Sequence, residues 1–227
     1  MHPEPAASPR GLRLLLDTAD RAAWAEWLPL GCFCGVTTNP LLLQAAGIPC
    51  ELPAIRTLVG EALRLGAGEV HAQVWGRTRD LYLERGRALA AIDPRVIVKI
   101  PSTIEGAAAA AALRKEGVAI TMTAVYTATQ ALVASALGAA YAAPYLGRMN
   151  DAGRDGFAEI AGMARMVRAH GGSMRIVVAS LRDPSDVVRL AAEGLDAFTF
   201  NPKLAAGFFA DEATARAVEA FEQAAER

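Results

Sequence analysis

Apolar positions along the chain follow two periods. Short runs of four to eight apolar residues, rich in β-branched side chains, read as buried strands, and between them apolar residues recur at helical spacing. The pattern predicts strands at 13–17, 35–40, 70–74, 96–100, 118–125, 140–146, 174–180 and 197–201. Helices are predicted at 20–28, 51–65, 80–91, 105–115, 127–137, 156–169, 184–192 and 213–227. The boundaries have local causes. Gly117 and Gly171-Gly172 end helices, Pro40 stops a strand, and Pro184 suits the first turn of the helix it opens. The alanine-rich stretch 107–112 reads as tightly packed helix.

Strands alternating with helices imply right-handed parallel β-α-β units, and about eight of them in 227 residues predict an α/β fold, a single (β/α)8 TIM barrel with a C-terminal helix. An open doubly wound sheet is the competing arrangement. It would call for a glycine-rich turn after the first strand, where Asp17-Thr18-Ala19-Asp20 stands instead. One domain is expected over 11–227, with 1–10, which holds three prolines, as a flexible extension and not a signal peptide.

One residue breaks the strand pattern. Val96-Ile97-Val98-Lys99-Ile100-Pro101 reads as a strand buried on both faces, so Lys99 shares a face with Ile97, opposite Val96, Val98 and Ile100. Burial lowers the proton affinity of an amine, and a neutral amine is what attack on a carbonyl requires. A lysine paired with a buried carboxylate is the plainer reading. The other strands weigh against it, because most are apolar until their last residues and then turn polar: Asp17, Thr38 and Asn39, Gln73, Thr121 and Thr123, Tyr145 and Arg148, Ser180 and Arg182, Thr199 and Asn201. In a closed barrel these ends share one mouth, where barrel enzymes carry their chemistry.

Charge and cysteine content narrow the partners. A net charge of −1, without a basic tract or acidic tail, argues against nucleic acid and anionic membrane, and no run approaches the ~18 apolar residues of a membrane span. Cys32, Cys34 and Cys50 cannot all pair, and with His2, His71 and His170 scattered they form no metal signature. A cytoplasmic, reduced protein with neither metal nor other cofactor is expected.

Three segments resemble a known family. Gly35-Val36-Thr37-Thr38-Asn39-Pro40, Val98-Lys99-Ile100-Pro101 and Ala143-Pro144-Tyr145-Leu146-Gly147-Arg148 are similar to signatures of the transaldolase family, with the nearest likeness to its small fructose 6-phosphate aldolases. The resemblance runs from about Leu14 into the C-terminal helix. It implies that Lys99 is the Schiff-base lysine holding a dihydroxyacetone unit. Tyr145 would be the general acid–base, acting through a water positioned by Gln73 and Thr123. Asp17 and Asn39, beside Thr38, would bind substrate hydroxyls and the carbinolamine. Ser180 and Arg182, with Arg148 nearby, would receive the phosphate of a sugar phosphate substrate. It also implies a homo-oligomer with the C-terminal helix in the contact, where Ala213, Ala217, Val218 and Phe221 form an apolar stripe.

These roles have a chemical basis. A retro-aldol step needs an electron sink beside the breaking bond, which a protonated imine supplies, and a base for the hydroxyl proton. A hydroxyl, a guanidinium and the backbone N–H groups of a helix start after Ser180 could converge on a phosphate. Structural alternatives stand beside them: Asp17 as a helix N-cap, Asn39 as a turn residue, Gln73 and Thr123 satisfying buried backbone, Tyr145 as packing, Arg182 as a surface cation, His71 as a core histidine. Trp75 is a candidate lining of the pocket. In the transaldolases of the pentose phosphate pathway, the positions of Gln73 and Tyr145 carry glutamate and phenylalanine. The pair here matches the aldolases. The expected activity is therefore reversible cleavage of fructose 6-phosphate to dihydroxyacetone and glyceraldehyde 3-phosphate. A transaldolase is the alternative, and a non-catalytic phosphosugar-binding barrel or a pyridoxal phosphate protein lies further off.

Overall fold

A computed structural model describes residues 11–226, so the extension expected over 1–10 lies outside the described residues. Eight strands form a closed parallel barrel in chain order: β1 Arg13–Asp17, β2 Phe33–Thr37, β3 Glu69–Gln73, β4 Val96–Pro101, β5 Ile120–Val125, β6 Tyr141–Pro144, β7 Arg175–Val178 and β8 Ala197–Phe200. β8 closes on β1, with Leu16 opposite Phe200. The (β/α)8 expectation holds, and no helix among the described residues is long and apolar enough to cross a membrane.

The outer layer comprises α1 Arg21–Trp27, α2 Pro40–Ala45, α3 Leu52–Arg64, α4 Arg79–Ala90, α5 Ile104–Lys115, α6 Ala128–Ala136, α7 Leu146–Asp151, α8 Gly156–Ala169, α9 Pro184–Ala192, α10 Pro202–Gly207 and α11 Glu212–Ala225. Three of them, α2, α7 and α10, are six-residue helices that the apolar pattern does not announce. Each starts within three residues of a strand end. Pro40 follows its strand as expected and also opens a helix, as does Pro202, and the two helices are capped by the side chains of Asn39 and Asn201. The strand expected to reach residue 146 ends at Pro144, because Leu146 and Gly147 turn into α7.

Strand alternation divides the apolar residues into two cores. Val96, Val98 and Ile100 join the large layer between barrel and helices, together with Trp24, Phe198 and Phe200. Ile97 faces the barrel axis with Leu15, Tyr141, Ala143, Val177 and Ala197. The alanine-rich helix α5 buries Ala109, Ala110 and Leu113 completely. By contrast, α11 buries no residue, leaving Val218 and Phe221 at 49% and 69% exposure.

Candidate active site

Lys99 is brought inside by the strand that carries it. On β4 it alternates with Val98 and Ile100, which face the helices, so its side chain enters the barrel and is 4% exposed. Gln73 on β3 and Thr121 on β5 are its partners in register. Burial pulls the proton affinity of the amine below the ordinary value of 10.5, and the charge of Asp17 only partly opposes this. The amine is thus biased toward its nucleophilic form.

A cleft of about 220 Å³ opens above Lys99 and is lined by Asp17, Asn39, Tyr145, Arg148 and Ser180 among others. A larger hollow of about 610 Å³, beside Thr18, Arg21 and the turn at 45–49, contains none of these polar strand-end groups except the residues just beyond β1. The chemistry therefore points to the smaller space. Asp17 is not a helix cap; Asp20 caps α1 instead. Asp17 Oδ1 accepts a hydrogen bond from Thr37 Oγ1 at 2.5 Å, and Thr37 lies 2.7 Å from Thr199 Oγ1. These two threonines hold the carboxylate in place.

Tyr145 Oη lies 2.9 Å from Thr123 Oγ1. Thr123 is followed by Ala124, whose φ of 56° is in the left-handed region, and β5 slips register against β6 between Met122 and Val125. A bulge of this kind re-aims side chains at a barrel rim. Tyr126, just past the bulge, packs edge-on against Tyr145 at 5.5 Å and accepts a 3.4 Å hydrogen bond from Arg148 Nη1. The Arg148 guanidinium lies 5.0 Å from the Tyr145 ring centroid. Tyr145 is thus gripped by a hydroxyl, a ring and a cation.

The remaining expected residues separate into two groups. Asn39 lines the cleft, while its Oδ1 accepts from Leu41 N and Leu42 N at 2.9 and 3.1 Å, so it is also the cap of α2. Gln73 is half-buried beside Lys99. Thr38 turns away: it is buried and its hydroxyl donates to the His71 carbonyl at 3.3 Å. Ser180 lines the cleft in a left-handed conformation with φ of 59°, a strained state for a residue with a side chain, costing of order 1–3 kcal/mol. Its carbonyl receives Gly147 N, and a Cβ at position 147 would lie 2.5 Å from that oxygen, so glycine is required there.

Arg182 is 60% exposed at its side chain and paired with Asp151. The helix start expected to offer free N–H groups does not, because Asp186 Oδ2 already accepts from Arg182 N and Asp183 N at 3.1 Å each. An anion would meet the Ser180 hydroxyl and the two guanidinium groups, not that backbone. Trp75 stacks under Arg85 at 4.7 Å and packs on the outer core, away from the cleft. Thr37 and Tyr126 are site residues that the sequence reading passes over; alternation along β2 marks Thr37, and nothing local marks Tyr126. Among the described residues no group of three or more His, Cys, Asp or Glu is placed to hold a metal ion.

Comparison with known proteins gives the family. Residues 14–227 match the family model described as Transaldolase/Fructose-6-phosphate aldolase. A "Probable transaldolase" of Caulobacter sp. (strain K31) is 34% identical over 210 residues, covering 92% of this chain and 94% of the relative. "Probable transaldolase 1" of Listeria monocytogenes serotype 4b (strain F2365) is 35% identical over 188 residues, covering 83% and 86%. Among solved structures, a thiamine phosphate pyrophosphorylase from Pyrococcus furiosus superposes with a TM-score of 0.58 at 15% identity, over 84% of this chain and 85% of that one, a likeness of fold alone.

Proposed function

We propose that this chain, which belongs to the transaldolase/fructose-6-phosphate aldolase family of Schiff-base enzymes, is an aldolase that reversibly cleaves fructose 6-phosphate into dihydroxyacetone and glyceraldehyde 3-phosphate. The observation that carries this reading is the Tyr145 hydroxyl, held 2.9 Å from Thr123 at the mouth above Lys99.

The Lys99 amine adds to the C2 ketone of the substrate, and loss of water gives a protonated imine. Removal of the C4 hydroxyl proton breaks the C3–C4 bond, whose electrons flow into the imine, and glyceraldehyde 3-phosphate leaves. The enamine that remains on Lys99 then takes a proton at C3, and water hydrolyses the imine to free dihydroxyacetone. In this reading Tyr145 takes the first proton and returns the second, with Thr123 fixing its hydroxyl and Gln73 beside Lys99 helping to hold the water. Asp17 supplies negative charge near the cationic imine. Asn39 meets substrate hydroxyls, and Ser180 with Arg148 and Arg182 meets the phosphate.

The names of the relatives favour a second reading, a transaldolase that passes the dihydroxyacetone unit to another sugar phosphate. A local proton donor is what separates the two, because it lets the enamine be released without an acceptor. Intact mass after borohydride reduction with fructose 6-phosphate should rise by a reduced dihydroxyacetone unit, and not in Lys99→Ala. Free dihydroxyacetone should then accumulate from fructose 6-phosphate alone. Turnover seen only after erythrose 4-phosphate is added would replace the aldolase with the transaldolase. The exposed stripe of α11, with Val218 and Phe221, supports a homo-oligomer, which gel filtration at the mass of one 23.8 kDa chain would refute.

A further inference from the structure

Below the cleft the barrel is filled by a polar column. Glu69, His71 and Gln73 alternate along β3 and face the axis, with Glu69 lowest. His71 is completely buried. Its Nδ1 lies 2.9 Å from Thr121 Oγ1, and its Nε2 lies 3.2 Å from Glu69 Oε1, a close contact short of an aligned hydrogen bond. A bare nitrogen facing a carboxylate would set lone pair against lone pair. On these two contacts Nε2 carries the hydrogen, and Nδ1 accepts from the Thr121 hydroxyl.

Glu69 is itself fixed from two sides. Arg13 Nη2 lies 2.8 Å from it, and the Tyr141 hydroxyl is 3.1 Å from each of its oxygens. The Tyr141 ring also covers the imidazole at 4.9 Å. Gly35 makes room for the backbone and side-chain stem of Glu69: a Cβ there would lie 2.2 Å from the Glu69 carbonyl oxygen and 2.8 Å from its Cγ. This is a built arrangement, not a stray buried histidine.

The column meets Lys99 along two routes. Thr121, which His71 binds, is the register partner of Lys99 on β5. Gln73, two residues along from His71, is its partner on β3. We propose that His71 is a positioning residue for Lys99: as a neutral imidazole clamped between Glu69 and Thr121 it forms the uncharged floor of the lysine's chamber, and positive charge on one of the two residues excludes it from the other.

Burial holds the His71 proton affinity below the ordinary 6.5 despite Glu69, and the charges of Lys99 and Arg13 push the same way. The other titratable or charged groups of this interior are Arg13 and Asp17 on β1, Cys34 on β2, Glu69 on β3, Tyr141 on β6 and Arg175 on β7, while β5 and β8 present Thr121 and Thr199. Burial pushes the Cys34 thiol up to about 11 and raises Tyr141 as well, so both stay neutral in the neutral range. Burial opposes the charge of Glu69, but the N–H of the neutral His71 and the Arg13 guanidinium outweigh it and hold the carboxyl ionised. When Lys99 becomes a cationic imine, His71 has to be neutral. Acid that protonates the imidazole places a second cation in the same low-dielectric interior.

The first test needs no substrate, so it stands apart from the aldolase reading. The chain has three histidines, which makes the ring signals easy to assign by NMR. His71 should titrate below the ordinary histidine range in the wild type. In Lys99→Met its titration should move up by about half a pH unit or more, as a like charge is removed. The same titration in both proteins would overturn the coupling. The second test rests on turnover: the acid limb of kcat reports groups in the enzyme–substrate complex. His71→Asn keeps an acceptor for Thr121, and His71→Gln keeps a donor for Glu69, yet neither side chain titrates. Both should move the acid limb to lower pH, with the Gln variant also losing about tenfold in plateau kcat, the effect of one misplaced hydrogen bond. Folded variants that keep the wild-type limb would reduce His71 to a core residue. Variants that fail to fold leave the Lys99→Met titration to decide.

Discussion

At the lower end of the barrel interior, Arg13, Glu69 and Tyr141 satisfy one another within 2.8–3.1 Å. At the upper end, Lys99 is as deeply buried, but Asp17, the nearby carboxylate, is hydrogen-bonded to Thr37 at 2.5 Å. Both layers are built on strands of one barrel, with β1 giving Arg13 to the lower and Asp17 to the upper, and each holds a cation and a carboxylate. In the lower one each charge has a partner, and the carboxyl stays ionised. In the upper one the desolvated amine gives up its charge more readily. Burial of charge thus serves two ends in one barrel. Compensated, it holds the wall together; left incomplete, it makes a nucleophile.

Removing each layer in turn tests that contrast. Lys99→Met should abolish the borohydride-trapped adduct and lower kcat by about 10⁴-fold or more, yet raise the urea midpoint by deleting a desolvated amine. A less stable Lys99→Met protein would mean that the upper layer is compensated after all. Tyr145→Phe should lower acceptor-free cleavage by about 10²–10⁴-fold while the adduct on Lys99 still forms. Loss of the adduct would give Tyr145 a role earlier in the reaction. Glu69→Gln breaks the compensated pair and should cost about 3–5 kcal/mol in urea unfolding; a loss under about 1 kcal/mol would put this pair with weak surface pairs.

Smaller effects follow pH. His71 and Lys99 both have folded-state values below their unfolded ones, 6.5 and 10.5, so the unfolded chain binds protons that the folded chain refuses. Stability should rise with pH through both windows, from the folded value of each group up to its unfolded value. Urea midpoints should show the acid-side rise flattened in His71→Asn and the alkaline-side rise flattened in Lys99→Met. Least of all, Asp151→Asn should change stability by less than about 1 kcal/mol, because its partner Arg182 is 60% exposed.

Alternation along the strands made much of this legible. The reading of Ile97 and Lys99 on one face, and of Val96, Val98 and Ile100 on the other, needed only a period of two, and the two cores divide there. A second signal, polar residues at the ends of otherwise apolar strands, marked Asp17, Gln73 and Thr123. What escaped has a common cause. Helices α2, α7 and α10 are six residues long, too short for a 3.6-residue period to show, and they depend on packing at the barrel rim. The pairing of Glu69 with Arg13, 56 residues away, and with Tyr141, 72 residues away, depends on register between strands. No local pattern encodes it. Thr38 and the capped start of α9 were misplaced for a simpler reason: their hydrogen bonds are already taken, by the His71 carbonyl and by the Asp186 carboxylate.

The polar column beneath Lys99 has a kinetic consequence. It makes the barrel a blind alley: whatever is tethered to the lysine sits at the closed end, and traffic passes by one door. In the proposed reaction the untethered aldehyde must depart before the carbon fragment bound to Lys99. Dihydroxyacetone should therefore inhibit competitively against fructose 6-phosphate, and glyceraldehyde 3-phosphate noncompetitively. The bond to one side chain at the closed end thus sets the order in which products leave.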